Sequence, residues 1–201
     1  MNESEILVDE ILTDLGIGHR KLPELGDPVP DFEVWVGSLT SYWEVKEFVE
    51  NPYEKEVLEG HHEIYSINSD RIEDRVKSAS VQFKGHGATG KPCVVVLCDN
   101  RDFVVKDLLL IQNIQSAMMG VAEFMERKDG QVVEVRRHPG LFTNRKKYIS
   151  AIAVAFAATK ELVVLHNPNA AHSLVASPLV SEFKHQYQAR YTNVGLRWEK
   201  V

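Results

Sequence analysis

The segment PCVVVLCD, from Pro92 to Asp99, constrains the fold most. Its apolar run is unbroken from Cys93 to Cys98, too short for a bilayer and without the alternation that would leave one face for water. Such a run is a strand buried on both faces, so it lies at the centre of a sheet. Both cysteines sit in it five positions apart, hence on opposite faces, and cannot pair with each other. They are expected as buried thiols in a reducing cytoplasm.

Around this strand the pattern alternates between helical and extended periods. Leu7, Ile11 and Leu15 recur every four positions, widened by Ile6 and Leu12, which predicts an amphipathic helix over 3–15 ending at Gly16. Pro and Gly between Gly18 and Val29 predict a loop. A hairpin is predicted from Asp31 to Val36 and from Ser41 to Phe48, with GSLT as its turn. VENPYEKEVLEGHHEIYS has no clear period and is expected as loop with one helical turn. Asp70 followed by Glu73 matches a capping box, Ile72, Val76, Ala79 and Phe83 form one stripe, and Gly85 follows the end, so a second helix is expected here.

A third helix is predicted over 105–118, with Leu108, Ile111 and Gln115 on its inner side. VAEFMER, KDG and QVVEVRR form a second hairpin turning at Asp129-Gly130. YISAIAVAFA and ELVVLHNP predict two more strands, and 179–191 a last helix. The sum is an α/β protein, one domain over 1–201, with a mixed central β-sheet flanked by helices. The 201 residues, 44% of them hydrophobic, suffice for one substantial core and fit no disordered or disulfide-framework class. The start MNESEILVDEIL lacks the basic and apolar parts of a signal peptide, so a cytoplasmic protein without membrane association is expected. A formal charge of -6 argues against indiscriminate nucleic-acid binding but leaves room for a local basic groove.

The first hairpin carries the chemistry. Strands disfavour Asp, Glu and Lys, so acidic residues clustered with a lysine on neighbouring strands require solvent or a cation. Side chains alternate, so Glu44 and Lys46 share one face while Trp43 and Val45 face the core. With Val36 opposite Ser41, Asp31 falls opposite Lys46 and Glu33 opposite Glu44. Asp31 and Glu44 are then diagonal neighbours within roughly 7–8 Å, near enough to hold a divalent cation between them. Hard oxygen ligands of this kind suit Mg²⁺ or Mn²⁺, and a lysine beside the cation can orient or deprotonate water or neutralise developing charge. The plain alternative is a solvated face whose charges form cross-strand pairs of little worth.

Pro30-Asp31 followed by Glu44-Val45-Lys46 resembles the signature of the PD-(D/E)xK, or restriction-endonuclease-like, nuclease superfamily. The resemblance implies Asp31, Glu44 and the Val45 carbonyl as metal ligands and Lys46 as catalytic base or electrophile. It implies a further glutamate on the preceding helix, Glu5 or its rival Glu10, and a polar helix after the hairpin offering Lys77, Gln82 or Lys84. The order helix, hairpin, helix, strand over about 3–99 is similar to the family's core. The expected function is hydrolysis of DNA or RNA phosphodiesters with Mg²⁺ or Mn²⁺, alone, as a homodimer or with a partner protein. Two alternatives stand beside it: a catalytically silent member of the fold that binds nucleic acid or protein, and an enzyme acting on small nucleotides.

Other motifs carry less. Arg136, Arg137, Arg145, Lys146 and Lys147 cluster near aromatics and could grip a phosphate backbone, though a hairpin end followed by an ordinary charged loop is the plainer reading. GHGATGK lacks the Gly-Lys-Ser/Thr ending of a phosphate loop and precedes a strand. His166 and His172 match no standard zinc spacing and suit a turn, while His61 and His62 are expected at the surface.

Overall fold

The computed structural model describes residues 1–23, 26–60, 70–102, 109–175, 177–193 and 195–201. Helix α1 (Glu3–Asp14) starts where the Asn2 side chain accepts the Glu5 N–H at 2.9 Å, and it ends before Gly16, whose φ of 67° only glycine adopts freely. Strands β1 (Gly18–Lys21), β2 (Phe32–Val36) and β3 (Leu39–Phe48) follow as an antiparallel meander. Helices α2 (Pro52–Leu58) and α3 (Asp70–Gly85) lead to β4 (Cys93–Asp99), the strand expected at the centre. Helix α4 (Ile111–Met119), the ribbon β5 (Val121–Glu126) and β6 (Val132–His138), then β7 (Ile149–Phe156), β8 (Glu161–His166), β9 (His185–Thr192) and β10 (Gly195–Lys200) complete the chain.

Among the described residues the main sheet has eight strands in the order β1-β2-β3-β4-β7-β8-β9-β10. The pairs β3/β4, β4/β7 and β8/β9 are parallel and the rest antiparallel, so the sheet is mixed and the class is α/β. β4 divides two cores by its own alternation. Val94, Val96 and Cys98 join Val8, Ile11 and Leu12 of α1, Phe32 and Trp43 on one face. Cys93, Val95 and Leu97 join Ile72, Val76 and Phe83 of α3 and Ile114 and Met118 of α4 on the other. Full burial of each such side chain contributes about 1.5–3 kcal/mol. The two free thiols thus lie on opposite faces, both buried. No helix among the described residues is long and apolar enough to cross a membrane.

Several expectations are corrected. Gly18–Lys21 is an edge strand, because pairing with β2 satisfies a backbone that composition marks as loop. The hairpin turn is Gly37-Ser38 alone: Gly37 takes φ 59°, as a tight two-residue turn requires, and Leu39 and Thr40 join β3. Asp70 lies inside the first turn of α3 and does not precede it. α4 starts at Ile111 and buries Ile114, Ala117 and Met118, whereas Ile111 and Gln115 are half-exposed; Leu108 and the rest of 103–108 lie outside the described residues, as do His61 and His62. The predicted C-terminal helix is a short 3₁₀ turn (Pro178–Glu182) followed by β9, whose pairing with β8 and β10 outweighs a weak helical period. The hairpin at Asp129-Gly130 forms as expected, but as a ribbon separate from the main sheet.

A buried ion network ties α2 to the end of β4. Arg101, 1% exposed, binds Asp99 and Glu54 at 2.7 Å each, and Glu54 also binds Arg71 at 2.7 Å. Removing the guanidinium leaves two buried carboxylates short of their partner. Arg101→Ala should lose about 3–5 kcal/mol of unfolding free energy in urea titrations. A loss below about 1 kcal/mol would contradict this account of the network.

Candidate active site

The β2–β3 register pairs Val36 with Leu39 and Phe32 with Trp43, so one step further Asp31 stands directly across from Glu44. This is a two-residue slip from the expected pairing, caused by the tighter turn. A slip of two keeps every side chain on its face, and so Asp31, Glu33, Glu44 and Lys46 still share one side while Trp43 and Val45 enter the core. The ladder ends at Phe32. Opposite Val45 in the same register is Pro30, which has no N–H to offer the Val45 carbonyl. Asp31 takes over the edge: its Oδ2 accepts the Val45 N–H at 2.7 Å, and its own N–H donates to Glu44 Oε2 at 3.2 Å.

Two lysines balance the carboxylates. Lys46 Nζ lies 2.6 Å from Glu44 Oε1. Lys21 Nζ, from β1, lies 2.6 Å from Asp31 Oδ1 and 3.0 Å from Glu5 Oε2 on α1. Burial works against the Lys21 charge, yet its hydrogen bonds to Asp31 and Glu5 hold its pKa above the usual lysine value. Glu44 is 3% exposed. Burial, reinforced by the negative charge of Asp31 and opposed by Lys46, pushes its carboxyl up to about 7.

Asp31, Glu44, Val45 and Lys46 line an open groove of about 620 Å³ together with Asn2, Asp27 and Pro28. Glu5 and Gln82 line it too, so α1 and α3 bring their predicted polar residues to the hairpin from either side. Glu10 instead pairs with Lys160 at 2.9 Å, away from the groove. Lys77 is engaged by Asp74 at 3.0 Å and Glu73 at 3.8 Å, and Lys84 lies over the Tyr148 ring; neither lines the groove. Arg137 is held by Glu134 at 2.6 Å, Arg136 is exposed on the ribbon, and Arg145, Lys146 and Lys147 lie on the loop before β7. His166 is buried at the end of β8 and bonded to Gln186 at 2.9 Å, beside the turn through Asn167 and Asn169.

Lys21, which binds the groove residues Asp31 and Glu5, is the residue that sequence reasoning missed. Its position on β1, where it pairs with Phe32, is what brings it to Asp31, and the loop expectation for 18–29 hid that pairing. Among the described residues no group of three or more His, Cys, Asp or Glu side chains is arranged to hold a metal ion. Any cation here would therefore rely on a pair of carboxylates and on oxygens from backbone, water or substrate.

Glu44 makes the groove pH-sensitive. Its folded-state pKa lies above the unfolded value, so the stability it contributes is present at low pH and lost as pH rises toward 7 and above. Between about pH 5 and pH 8 the unfolding free energy of Glu44→Gln should gain on that of the wild type by roughly 2–3 kcal/mol. A constant difference across that range would contradict the assignment. No family model, curated protein or solved structure matches the chain, so the geometry of this groove is the basis for the functional reading.

Proposed function

We propose that the chain is a metal-dependent nuclease with a restriction-endonuclease-like core, hydrolysing DNA or RNA phosphodiesters. The observation that carries the reading is the placement of Asp31 and Glu44 face to face across the hairpin, with Lys46 on Glu44, in a groove open to solvent. The succession α1, β1, β2, β3, α2, α3, β4 contains the expected order of helix, hairpin, helix and strand, with β1 and α2 added to it.

The donor set fits Mg²⁺ or Mn²⁺, which bind through one or two carboxylates and keep several waters. Asp31, Glu44 and the Val45 carbonyl, which Pro30 cannot serve, would hold it, with Glu5 behind them. A bound cation would supply Lewis-acid polarisation of a phosphoryl oxygen and a more acidic water. The chain's own residues do the rest. The Val45 N–H fixes the Asp31 carboxylate, burial keeps Glu44 in place, and Lys46 is positioned to neutralise charge on the phosphoryl oxygens as the ammonium or, once it has given up its own proton, to take one from the attacking water. Gln82 reaches the same groove from α3 and can orient water or substrate.

A second reading draws on Lys21 and Lys46. Their ammonium groups already offset the carboxylates, as they would in a catalytically silent member of the fold that binds nucleic acid or a protein partner. Cleavage of labelled single- and double-stranded DNA and RNA with Mg²⁺ or Mn²⁺ separates the two. The nuclease reading predicts cutting that falls by at least ~10²-fold in Asp31→Asn and Lys46→Ala while folding is retained. Equal cutting by the variants, or none by the wild type with either metal, would overturn it.

A further inference from the structure

Outside the groove, positive charge is concentrated at one end of the sheet. The register aligns Tyr42 of β3, Cys93 of β4 and Ile149 of β7 side by side, so Lys91 and Tyr148 lie at the same end as Tyr42. There Lys91 lies 5.6 Å above the Tyr42 ring, Lys84 lies 5.9 Å above the Tyr148 ring, and His86 meets Tyr42 edge-on at 5.1 Å. Lys146 is held still more firmly. It adopts φ 53°, a left-handed conformation uncommon outside glycine, and donates from Nζ to Ser80 Oγ at 2.7 Å; Ser80 in turn donates to the Val76 carbonyl at 2.7 Å.

Three of these cations, Lys84, Arg145 and Lys146, lack a carboxylate partner among the described residues, whereas Lys77 beside them is balanced by Asp74 and Glu73. Burial and then the charges of Lys84, Arg145 and Lys77 pull the Lys146 pKa below the ordinary lysine value. In a chain of net charge -6, cations that repel one another around a Lys146 held by Ser80 create a site for an anion.

The patch is linked to the groove. A cleft of about 370 Å³ lined by Leu22, Gly85 and His86 shares Asp27, Pro28 and Val29 with the groove, and so the two openings are continuous around the C-terminal end of α3. Gln82 and Lys84 lie on opposite flanks of α3, about one helix diameter, ~10 Å, apart. A single phosphate in the groove cannot reach Lys84 or Lys146, but a strand several nucleotides long can.

We propose that Lys84, Arg145 and Lys146 form a backbone-phosphate anchor for a nucleic-acid strand that runs from the groove around the end of α3. The proposal rests on the nuclease reading for its ligand, and it specifies a polymeric substrate over a mononucleotide. The exposed His86 ring lies along the path beside the half-buried Tyr42, where a base can stack.

The test is binding without catalysis: fluorescence anisotropy of a labelled single strand of about twelve nucleotides, in EDTA, across a range of salt concentrations. Lys84→Gln combined with Lys146→Gln should weaken binding and reduce the slope of log K against log salt by about 1.4, two phosphate contacts at ~0.7 each. Binding of a dinucleotide should be unchanged. Arg145→Gln, exposed and without a side-chain partner among the described residues, serves as a second variant whose folding is not at issue, and should lower the slope by about 0.7. No binding by the wild type, an unchanged slope in the variants, or an equal loss for the dinucleotide would overturn the anchor. Because no cleavage is needed, failure of the nuclease reading would appear separately, as an oligonucleotide that binds through the anchor and is not cut when metal is added.

Discussion

The hydrogen bond from the Val45 N–H to the Asp31 carboxylate takes the place of a strand-to-strand bond, and the geometry of the groove follows from it. β3 continues past the end of β2 because β4 supports its other edge. The β2–β3 ladder ends at Phe32, and Pro30 has no N–H for the Val45 carbonyl. The Val45 N–H is taken by Asp31, which fixes the Asp31 carboxylate opposite Glu44. The acidic pair is therefore held by the sheet and does not depend on a flexible loop.

Charge in the groove is balanced with little margin. Glu5, Asp31 and Glu44 face Lys21 and Lys46, and Glu44 sits deep enough that its proton is held to near neutrality. Of the described side chains that line the groove, Glu5, Asp27, Asp31 and Glu44 are acids and Lys46 is the base, while on the opposite flank of α3 Lys84 and Lys146 have no carboxylate partner among the described residues. A negatively charged strand passing from the basic flank to a cation-bearing groove would be complementary at both ends. The same helix supplies Gln82 to one side and Ser80, which anchors Lys146, to the other.

Much of this was legible in the sequence where one period dominates. The central strand, α1, α3 and the face shared by Asp31, Glu44 and Lys46 depend on alternation or on an apolar stripe, and both survive a two-residue slip. The register itself was not legible, because Gly-Ser closes a two-residue turn only when Gly37 takes a positive φ, and GSLT reads equally well as a longer turn. β1 and β9 were hidden because their strand character comes from partners distant in sequence: β1 needs β2, and β9 needs β8. Lys21 went unseen with β1. The basic anchor joins residues of α3 to the loop before β7, a proximity that no local pattern encodes.

A cation site at Asp31 and Glu44 is read out by titration of Mn²⁺ followed by electron paramagnetic resonance. Saturable binding is expected of the wild type, lost in Asp31→Asn and in Glu44→Gln, and kept in Arg145→Gln. Binding indifferent to both carboxylates, or absent from the wild type at millimolar Mn²⁺, would contradict it.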